Sequence, residues 1–450
     1  MKRSKWIMFL LVLALTAAAC SSTSGSEATT TTATGSGASS TTQATTTTTA
    51  AGSGASSTTE ATPKPSLEGV DLTLWGWSSS DAENSALSDL VAQFSADTGA
   101  NAEFQAQAEF DVALQAALAS GAPPDVFYVD SFKLPDLADA GVLAPVPDGA
   151  LSDPDDIYPS LRNAFTFNGT WYCPPKDFST LALVYDPDVL AAAGVDVPTT
   201  WDELEAAAAT LTTGDVAAIA AGDAQAGLTM GVEYPRWGVF LFQAGVALTD
   251  DAVTKITLDN DAARTALQFV ADQYAAGSFI KPQAVDAGWA GEAFGQGKAA
   301  MTIEGNWIVG YLQDAFPDKN FAVAELPAGP AGMGTFAFTV CYGVAEGAKN
   351  PDASWAFVEY LTNAKGSLAW TNAFNVMPAR KSVSADWIAS HPDLNAFVAG
   401  SAYAHRWGFV PGFNDVVGVF NENAEGIVDG SASVDDLITK VTQAGEDVLH

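Results

Sequence analysis

The alternation of strand-like and helix-like segments in residues 71–141 is the feature that most constrains the fold of this chain. The strand segments are short and apolar or alternate in polarity, and the helical segments carry apolar stripes with capping or glycine signals at their ends. The segments follow one another at 71–77, 80–99, 101–107, 110–121, 125–129 and 134–141. Strands that alternate with helices in this way favour a parallel α/β sheet.

A parallel sheet also indicates where a ligand binds, because ligands lie beyond the carboxyl ends of its strands. Trp77 and Ser78 stand at the end of the first strand segment, and Asp130 follows the third. A carboxylate at the end of a buried strand needs a partner. We therefore expect Trp77, Ser78 and Asp130 to face a ligand, with a helix N-cap as the alternative role for Asp130.

Residues 1–20, MKRSKWIMFLLVLALTAAAC, have the pattern of an export leader. Three basic residues precede an apolar stretch that is shorter than the ~20 residues needed to span a bilayer. The stretch ends in small residues and Cys20, which together resemble a bacterial lipobox. We expect lipidation of Cys20 and anchoring to the outer face of the bacterial cell membrane. An ordinary cleavage site that happens to precede a cysteine is the alternative.

Residues 21–66 consist almost wholly of Ser, Thr, Ala and Gly, and the octapeptide GSGASSTT occurs at 35–42 and again at 52–59. A segment without apolar periodicity does not offset its ordering entropy, so we predict a disordered linker. Its root-mean-square reach would be roughly 35–40 Å. The body that follows is long enough for two lobes.

The chain carries 53 acidic and 19 basic residues, a net charge of −34. Nucleic-acid binding is excluded on this balance, because neutralising phosphates requires a basic surface. Three histidines are present, and the H-E-x-x-H, G-x-S-x-G and P-loop motifs are absent. We predict no catalytic residues, no metal site and no cofactor. Because carboxylates are abundant, an anchored glycoside hydrolase with paired carboxylates stays as an alternative.

Twelve tryptophans make ligand stacking the better-supported function. Indole faces lie against the C–H faces of sugar rings, while neighbouring polar groups bond the hydroxyls. The candidates occupy loop-like or glycine-flanked positions and are Trp77, Trp237, Trp289, Trp307 and Trp407. Trp201 stands at a helix start, and Trp355 and Trp370 lie in helical apolar stripes, so we expect these three to be structural.

The chain has three cysteines, and two of them are candidates for a disulfide. If Cys20 is lipidated, Cys173 and Cys341 remain in a disulfide-permissive compartment. The sequence allows a disulfide between them or two buried thiols.

Several segments together resemble the extracellular solute-binding proteins of bacterial ABC importers, in particular the carbohydrate-binding group that includes maltose-binding protein. Their order and spacing carry the resemblance over nearly the whole body. The segments are DLTLWGWSS at 71–79, GAPPDVFYVDS at 121–131, LADAGVLAPVPD at 137–148, LALVYDPDVLAAAGVDVPTTWDEL at 181–204, AFGQGKAAMTIEGNW at 293–307, GVAEGAKNPDASWAFVEYLT at 343–362 and FVPGFNDV at 409–416.

The resemblance implies a two-lobed periplasmic-binding-protein-like α/β fold of type II, with the ligand in a cleft between lobes joined by hinge crossings. Lobe one would combine 67–184 with 328–378, and lobe two would combine 185–327 with 379–450. It further implies a monomer that captures a sugar or oligosaccharide outside the cytoplasm and delivers it to an ABC permease in the membrane.

Some site residues follow from the resemblance, position by position. Asn306-Trp307 resembles the Pro-Trp of the family's Gly-Pro-Trp segment, whose tryptophan stacks on sugar, and Tyr234 occupies the place of an aromatic sugar contact. Ser179 stands where maltose-binding protein has a ligand carboxylate, and Val417 stands where it has a second stacking tryptophan. These departures imply that the ligand is not bound just as maltodextrin is. They also imply that Trp289 or Trp407 takes the place of the second stacking tryptophan.

The composition also allows a different ligand for a protein of this fold. The acidic chain also suits a polyamine or another small cation, which would need carboxylates clustered in the cleft. Asp130, Asp177 and Glu304 are the candidates for that cluster.

Overall fold

The structure is a computed structural model that describes residues 67–77, 80–406 and 410–449. The predicted leader with Cys20, the predicted linker at 21–66, Ser78 and Trp407 lie outside the described residues. In the described chain, no helix is both long enough and apolar enough to cross a membrane.

The strands of the described residues are β1 (Asp71–Gly76), β2 (Asn101–Ala106), β3 (Val126–Asp130), β4 (Thr166–Phe167), β5 (Thr170–Trp171), β6 (Pro175–Tyr185), β7 (Ala226–Thr229), β8 (Phe279–Ile280), β9 (Ala299–Gly305), β10 (Ala322–Ala324), β11 (Thr335–Val344) and β12 (Ala404–Arg406). The α-helices are α1 (Asp81–Thr98), α2 (Phe110–Ala119), α3 (Leu134–Asp139), α4 (Pro159–Ala164), α5 (Pro187–Ala193), α6 (Trp201–Leu211), α7 (Val216–Ala221), α8 (Tyr234–Gln243), α9 (Asp261–Ala276), α10 (Ala290–Gly295), α11 (Trp307–Ala315), α12 (Pro351–Thr362), α13 (Ala364–Phe374), α14 (Lys381–Ser390), α15 (Asn395–Gly400), α16 (Phe413–Val428) and α17 (Val434–Val448).

Local sequence signals explain where the first helix begins and ends. The hydroxyl of Ser80 accepts a hydrogen bond from the backbone N–H of Glu83, which satisfies one of the unpaired donors at the start of α1. Gly99 ends the helix in the left-handed conformation at φ 80°, where a glycine carries no steric cost.

The main sheet has the strand order β2-β1-β3-β11-β6-β9-β7-β8. Strand β1 is parallel to β2 and β3, so the predicted parallel arrangement is confirmed at this end. Strands β7, β8 and β9 form a second parallel group. Between the two groups run β11 and β6, which are antiparallel to each other and to their outer neighbours β3 and β9. The sheet is therefore mixed rather than purely parallel.

Two hydrophobic cores flank the central antiparallel pair. The first core takes residues from 67–173 and 341–376, and the second takes residues from 181–336 and 413–449. Strand β6 serves both, because its first half pairs with β11 and its second half, from Leu181 to Tyr185, pairs with β9. The molecule is thus two-lobed, and the chain passes from one lobe to the other along β6.

A disulfide lies where the antiparallel pair enters the first core. Cys173 and Cys341 are joined with their Cα atoms 5.7 Å apart, and both are fully buried. The alternative of two free thiols therefore does not apply in this structure. The bond ties the start of β6 to the middle of β11.

Candidate functional site

A cavity of about 320 Å³ lies against one face of the β6–β11 pair, between the two cores. We call it the cleft cavity. Aromatic, acidic and basic side chains share its wall. The lining residues are Trp77, Glu83, Asp130, Phe132, Lys176, Asp177, Ser179, Pro235, Arg236, Trp307, Phe338, Thr339, Val340, Phe374 and Val376.

Trp307 reaches this cavity because the turn between β9 and α11 has no side chain in the way. A Cβ atom at Gly305 would lie 2.3 Å from the Trp307 ring, so any other residue there would displace the indole. The indole Nε1–H donates to Glu304 Oε2 at 3.0 Å, and the ring packs edge-on against Phe338 with centroids 5.4 Å apart. Trp307 is therefore held at a fixed angle with part of its surface open.

Arg236, in the first turn of α8, binds the same Glu304 carboxylate as Trp307 and lies beside the Trp307 ring. Its guanidinium donates to Glu304 Oε2 at 2.5 Å, pairs with Glu233 at 3.3 Å and lies 5.8 Å from the centre of the Trp307 ring. Burial alone would lower the pKa of Arg236, but the carboxylates of Glu304 and Glu233 outweigh it, so the pKa is raised. Glu304 thus acts as a buried acceptor shared by Arg236 and Trp307.

A second buried ion pair lies on the opposite side of the cavity. Lys176 Nζ and Asp177 Oδ2 are 2.7 Å apart, and the Trp370 indole also donates to Asp177 Oδ2 at 2.7 Å. The Lys176 ammonium lies 4.1 Å from the centre of the Trp370 ring and 4.8 Å from that of Tyr128. These contacts compensate the desolvation of both charges, as buried pairs require.

Trp77 is placed by a close approach at the end of β1. A Cβ atom at Gly76 would lie 2.8 Å from the Tyr128 ring, so glycine is needed for Tyr128 to pack there. The Trp77 indole then meets Tyr128 and Phe110 edge-on, at centroid distances of 4.9 Å and 5.2 Å. The indole keeps a partly exposed face at the cavity.

Asp130, the last residue of β3, differs from the other acids of the cavity. Within residues 67–77, 80–406 and 410–449, its carboxylate accepts no hydrogen bond and pairs with no base. Burial raises its pKa to about 7, with Lys133 and Lys176 opposing that shift and Asp111 and Asp177 adding to it. Its charged form is therefore poorly compensated by the described protein groups.

Ser179 and Asn306 are bonded to each other rather than left open. The Ser179 hydroxyl donates to Asn306 Oδ1, and the Asn306 backbone N–H donates to Ser179 Oγ at 3.0 Å. Asn306 is fully buried, and Ser179 lies on the cavity wall. The pair joins β6 to the turn that carries Trp307.

Three aromatic residues predicted as ligand contacts lie elsewhere. Tyr234 and Trp237 are buried in the second core, where Tyr234 packs edge-on against Phe336 and Trp237 stacks on Tyr274. Trp289 packs edge-on against Tyr311 at 4.8 Å and does not line the cleft cavity. The sequence pattern carries no information on which face of α8 is buried, so it did not indicate that Tyr234 and Trp237 lie in the second core.

The structure therefore brings Trp77, Asp130, Asp177, Ser179 and Trp307 to one cavity, with Glu304 and Asn306 directly behind it. Lys176 and Arg236 also line the cavity and were not predicted from the sequence. Arg236 follows Tyr234-Pro235, and a lone arginine in a loop-like segment of an acidic chain was a usable signal. The other missed lining residues include Glu83, Phe132, Phe338 and Phe374.

A second cavity, of about 310 Å³, lies on the opposite face of the same two strands. Side chains alternate across a strand, so Phe178, Thr180 and Ala337 point to this side while Asp177, Ser179 and Phe338 point to the cleft cavity. The hydroxyl of Thr180 is already bonded to the Phe397 carbonyl. None of the predicted ligand contacts in the described chain lines this second cavity.

Metal binding finds no support in the described part of the chain. No group of three or more His, Cys, Asp or Glu side chains there is arranged to hold an ion. At the cleft cavity, Asp177 is instead engaged by Lys176 and the Trp370 indole, and Glu304 behind it by Arg236 and the Trp307 indole.

Comparison with known proteins points to one family. The profile of the bacterial extracellular solute-binding proteins matches residues 89–396. A binding protein of Brucella abortus is 23% identical over 355 residues, covering 76% of this chain and 84% of its own length. The maltotriose-binding protein of Pyrococcus abyssi is 24% identical over 270 residues, covering 58% of this chain and 55% of its own.

Solved structures agree with this assignment. The GacH receptor of Streptomyces glaucescens, solved unliganded and with acarbose, is 26% identical, with a TM-score of 0.75 over 85% of this chain and 98% of its own. A substrate-binding protein of Listeria monocytogenes, solved with cycloalternan, has a TM-score of 0.76 over 84% of this chain and 99% of its own at 20% identity, which bears on the fold alone. The mixed sheet, the two lobes and the cavity between them are those of this fold, and the chain belongs to the bacterial extracellular solute-binding proteins.

Proposed function

We propose that this chain is the sugar receptor of an ABC importer, which captures a sugar or oligosaccharide in the cleft cavity and delivers it to a membrane permease. The similar proteins named above include ones solved with oligosaccharide ligands, and family members bind solutes. We propose no covalent step, so the protein would act through binding and closure alone.

The observation that carries this proposal is the way Trp307 is held at the cleft cavity. An indole face that is fixed by Glu304, Arg236 and Phe338 and opens on a cavity is suited to stacking on a sugar ring. Trp77 supplies a second aromatic surface on the other lobe's side. Asp130, which lacks a partner among the described residues, would accept the sugar hydroxyls.

Lobe boundaries at 67–184 with 328–378, and at 185–327 with 379–450, form part of the proposal. The division of core residues between 67–173 with 341–376 and 181–336 with 413–449 supports them. A ligand that contacts both lobes favours the closed form through differential contacts, as in hinge-bending receptors.

We also propose that lipidated Cys20 anchors the receptor to the outer face of the cell membrane, with residues 21–66 as a tether. The sequence pattern supports this, and an extracytoplasmic location follows from the family. A monomer is sufficient, because the cleft cavity is built from one chain.

The test is a calorimetric titration across neutral mono-, di- and trisaccharides, repeated with Trp307→Ala. We expect at least one saccharide to bind the wild type with micromolar or tighter affinity and to bind the variant at least about tenfold more weakly, since truncating a central aromatic contact at a binding site typically costs more than ~1 kcal/mol and tenfold corresponds to ~1.4 kcal/mol. Failure of every sugar to bind or to raise the melting temperature would refute the proposal.

A small cation is the second candidate, because Asp130 and Asp177 line the same cavity and Glu304 lies behind it. The described contacts weigh against it, since Asp177 is neutralised by Lys176 and Glu304 by Arg236. Spermidine that binds and is not displaced by any saccharide would favour the cation. A saccharide that displaces it would favour the sugar.

A further inference from the structure

A set of hydrogen bonds joins the two lobes beside the cleft cavity, at residues that no ligand contact requires. Asp136, on α3, accepts from the backbone N–H of Gly412 through Oδ1 and from Asn414 Nδ2 through Oδ2, both at 2.6 Å. Asn414 Nδ2 also donates to the Phe132 carbonyl at 3.2 Å. Phe132 itself lines the cavity, whereas Asp136, Gly412 and Asn414 do not.

The two partners belong to different hydrophobic cores. Leu134, two residues before Asp136, is buried in the first core. Phe413, between Gly412 and Asn414, is buried in the second core together with Val416. The hydrogen bonds therefore form only when the lobes approach each other at this point.

The sequence of α16 makes the contact chemically specific. Its N-cap is Gly412, at φ 80°, which has no side chain to accept from the first N–H groups of the helix. The dipole of a 16-residue helix favours an anion at this end. The other lobe supplies that anion as the Asp136 carboxylate, which accepts from the backbone N–H of the N-cap residue Gly412.

We infer that Asp136, Gly412 and Asn414 form an interlobe latch that sets ligand affinity by stabilising the closed form, without touching the ligand. Asp136 and Asn414 are positioning residues in this scheme. The inference rests on ligand capture in the cleft cavity. Because apparent affinity scales with the fraction of protein in the binding-competent state, losing the latch weakens binding even though every ligand contact is kept.

The experiment compares Asp136→Asn with Asp139→Asn in the full-length protein. Both residues lie on α3 and both changes remove one negative charge, but Asp139 is exposed and makes no latch contact. We expect the best-binding saccharide to bind Asp136→Asn about five- to thirtyfold more weakly than wild type, and Asp139→Asn within about twofold. Hydrogen exchange of the ligand-free protein provides a second readout, with faster exchange at the Gly412 amide in Asp136→Asn only.

A charge exchange separates a latch from a general loss of stability. Asn414→Asp places two carboxylates against each other and is expected to bind most weakly. Adding Asp136→Asn restores a donor–acceptor pair across the same gap, so the double variant is expected to bind more tightly than Asn414→Asp alone. If Asp136→Asn does not fold, Asn414→Ala replaces it, since this removes both side-chain donations.

Equal affinity of Asp136→Asn and Asp139→Asn, or additive losses in the double variant, would overturn the latch. This result differs from failure of the proposed function, in which the wild type binds no sugar. In that case the exchange rate at Gly412 still tests the interlobe contact.

Discussion

Replacing Asp130 with Asn is expected to stabilise the protein at neutral and alkaline pH while weakening ligand binding. The Asp130 carboxylate is desolvated at the end of β3, and burial raises its pKa from 3.8 to about 7. Lys133 and Lys176 only partly offset this, and Asp111 and Asp177 add to it. An asparagine keeps the shape of the side chain but has no charge to desolvate.

The sign and size of the effect follow from the two pKa values. Below the unfolded value near 3.8, Asp130 is protonated in both states and costs nothing. As the pH rises through the window from 3.8 to about 7, the folded protein holds a proton that the unfolded chain has lost, so stability falls. Above this window the accumulated loss is at most about 4 kcal/mol, at ~1.4 kcal/mol for each pKa unit, and solvent that reaches the partly exposed carboxylate in the cleft cavity reduces it. Asp130→Asn should recover up to that amount at pH 8 and almost none at pH 3.5.

The assay is urea unfolding of the ligand-free protein at several pH values, for wild type, Asp130→Asn and the exposed-site control Asp139→Asn. The difference between wild type and Asp130→Asn should grow with pH and level off near pH 8, whereas the control should show no such growth. A difference that is absent at pH 8, or that shrinks as the pH rises, would refute the reasoning. Saccharide affinity should fall in the same variant, because the charged acceptor for hydroxyl donors is lost.

Three further perturbations test other parts of the molecule. Trp307→Phe keeps an aromatic face but loses the hydrogen bond to Glu304, so its saccharide affinity, measured by calorimetry, should fall between those of wild type and Trp307→Ala. The double change Cys173→Ala with Cys341→Ala opens a loop closed over a sequence separation of 168 residues, and it should lower the free energy of unfolding by roughly 2–5 kcal/mol in denaturant titrations; an unchanged midpoint would contradict this. Cys20→Ala should move the protein from the membrane fraction to the medium, and continued membrane retention would remove the basis for the lipid anchor.

The elements with strong periodicity were predictable from the sequence. Helices α9 and α17 follow from such local signals, because Asn260 and Ser433 cap their starts and an apolar stripe packs each into the second core. The alternation in 71–141 likewise predicted the parallel strands β1, β2 and β3. Trp201, Trp355 and Trp370 are buried, as expected of structural tryptophans.

The central antiparallel pair was harder to predict. Strand β6 begins at Pro175, and its first half has charged and polar residues whose burial depends on partners far along the chain. Asp177, for example, pairs with the adjacent Lys176, but its second partner, the Trp370 indole, is 193 residues away. Strand β11 was not predicted, although its large apolar residues alternate with small ones as in a strand that has one apolar face. That face carries Phe336, Phe338, Val340, Tyr342 and Val344.

For a related reason, some of the residues predicted as ligand contacts line the cleft cavity and others do not. Trp77 and Asp130 were predicted because they lie at strand ends, beyond which ligands bind in parallel sheets. Trp307 was predicted from its loop-like position and from the family resemblance, and all three line the cleft cavity. Tyr234 and Trp237 are both on α8, and the sequence does not reveal that this helix is buried on nearly every side. An aromatic residue next to Pro and Arg therefore looked like a ligand contact, while the real cavity residue of that turn is Arg236.

The antiparallel pair of β6 and β11 connects the two lobes and also carries residues of the cleft cavity. The disulfide between Cys173 and Cys341 holds one end of the pair in the first core, and pairing with β9 from Leu181 onward holds β6 in the second. Bending between the lobes is therefore expected to concentrate in the segment from Asp177 to Thr180. Asp177 and Ser179 are also cavity residues, bonded to the Trp370 side of one lobe and the Asn306 side of the other. A ligand that engages these two side chains would act directly on the segment that sets the angle between the lobes.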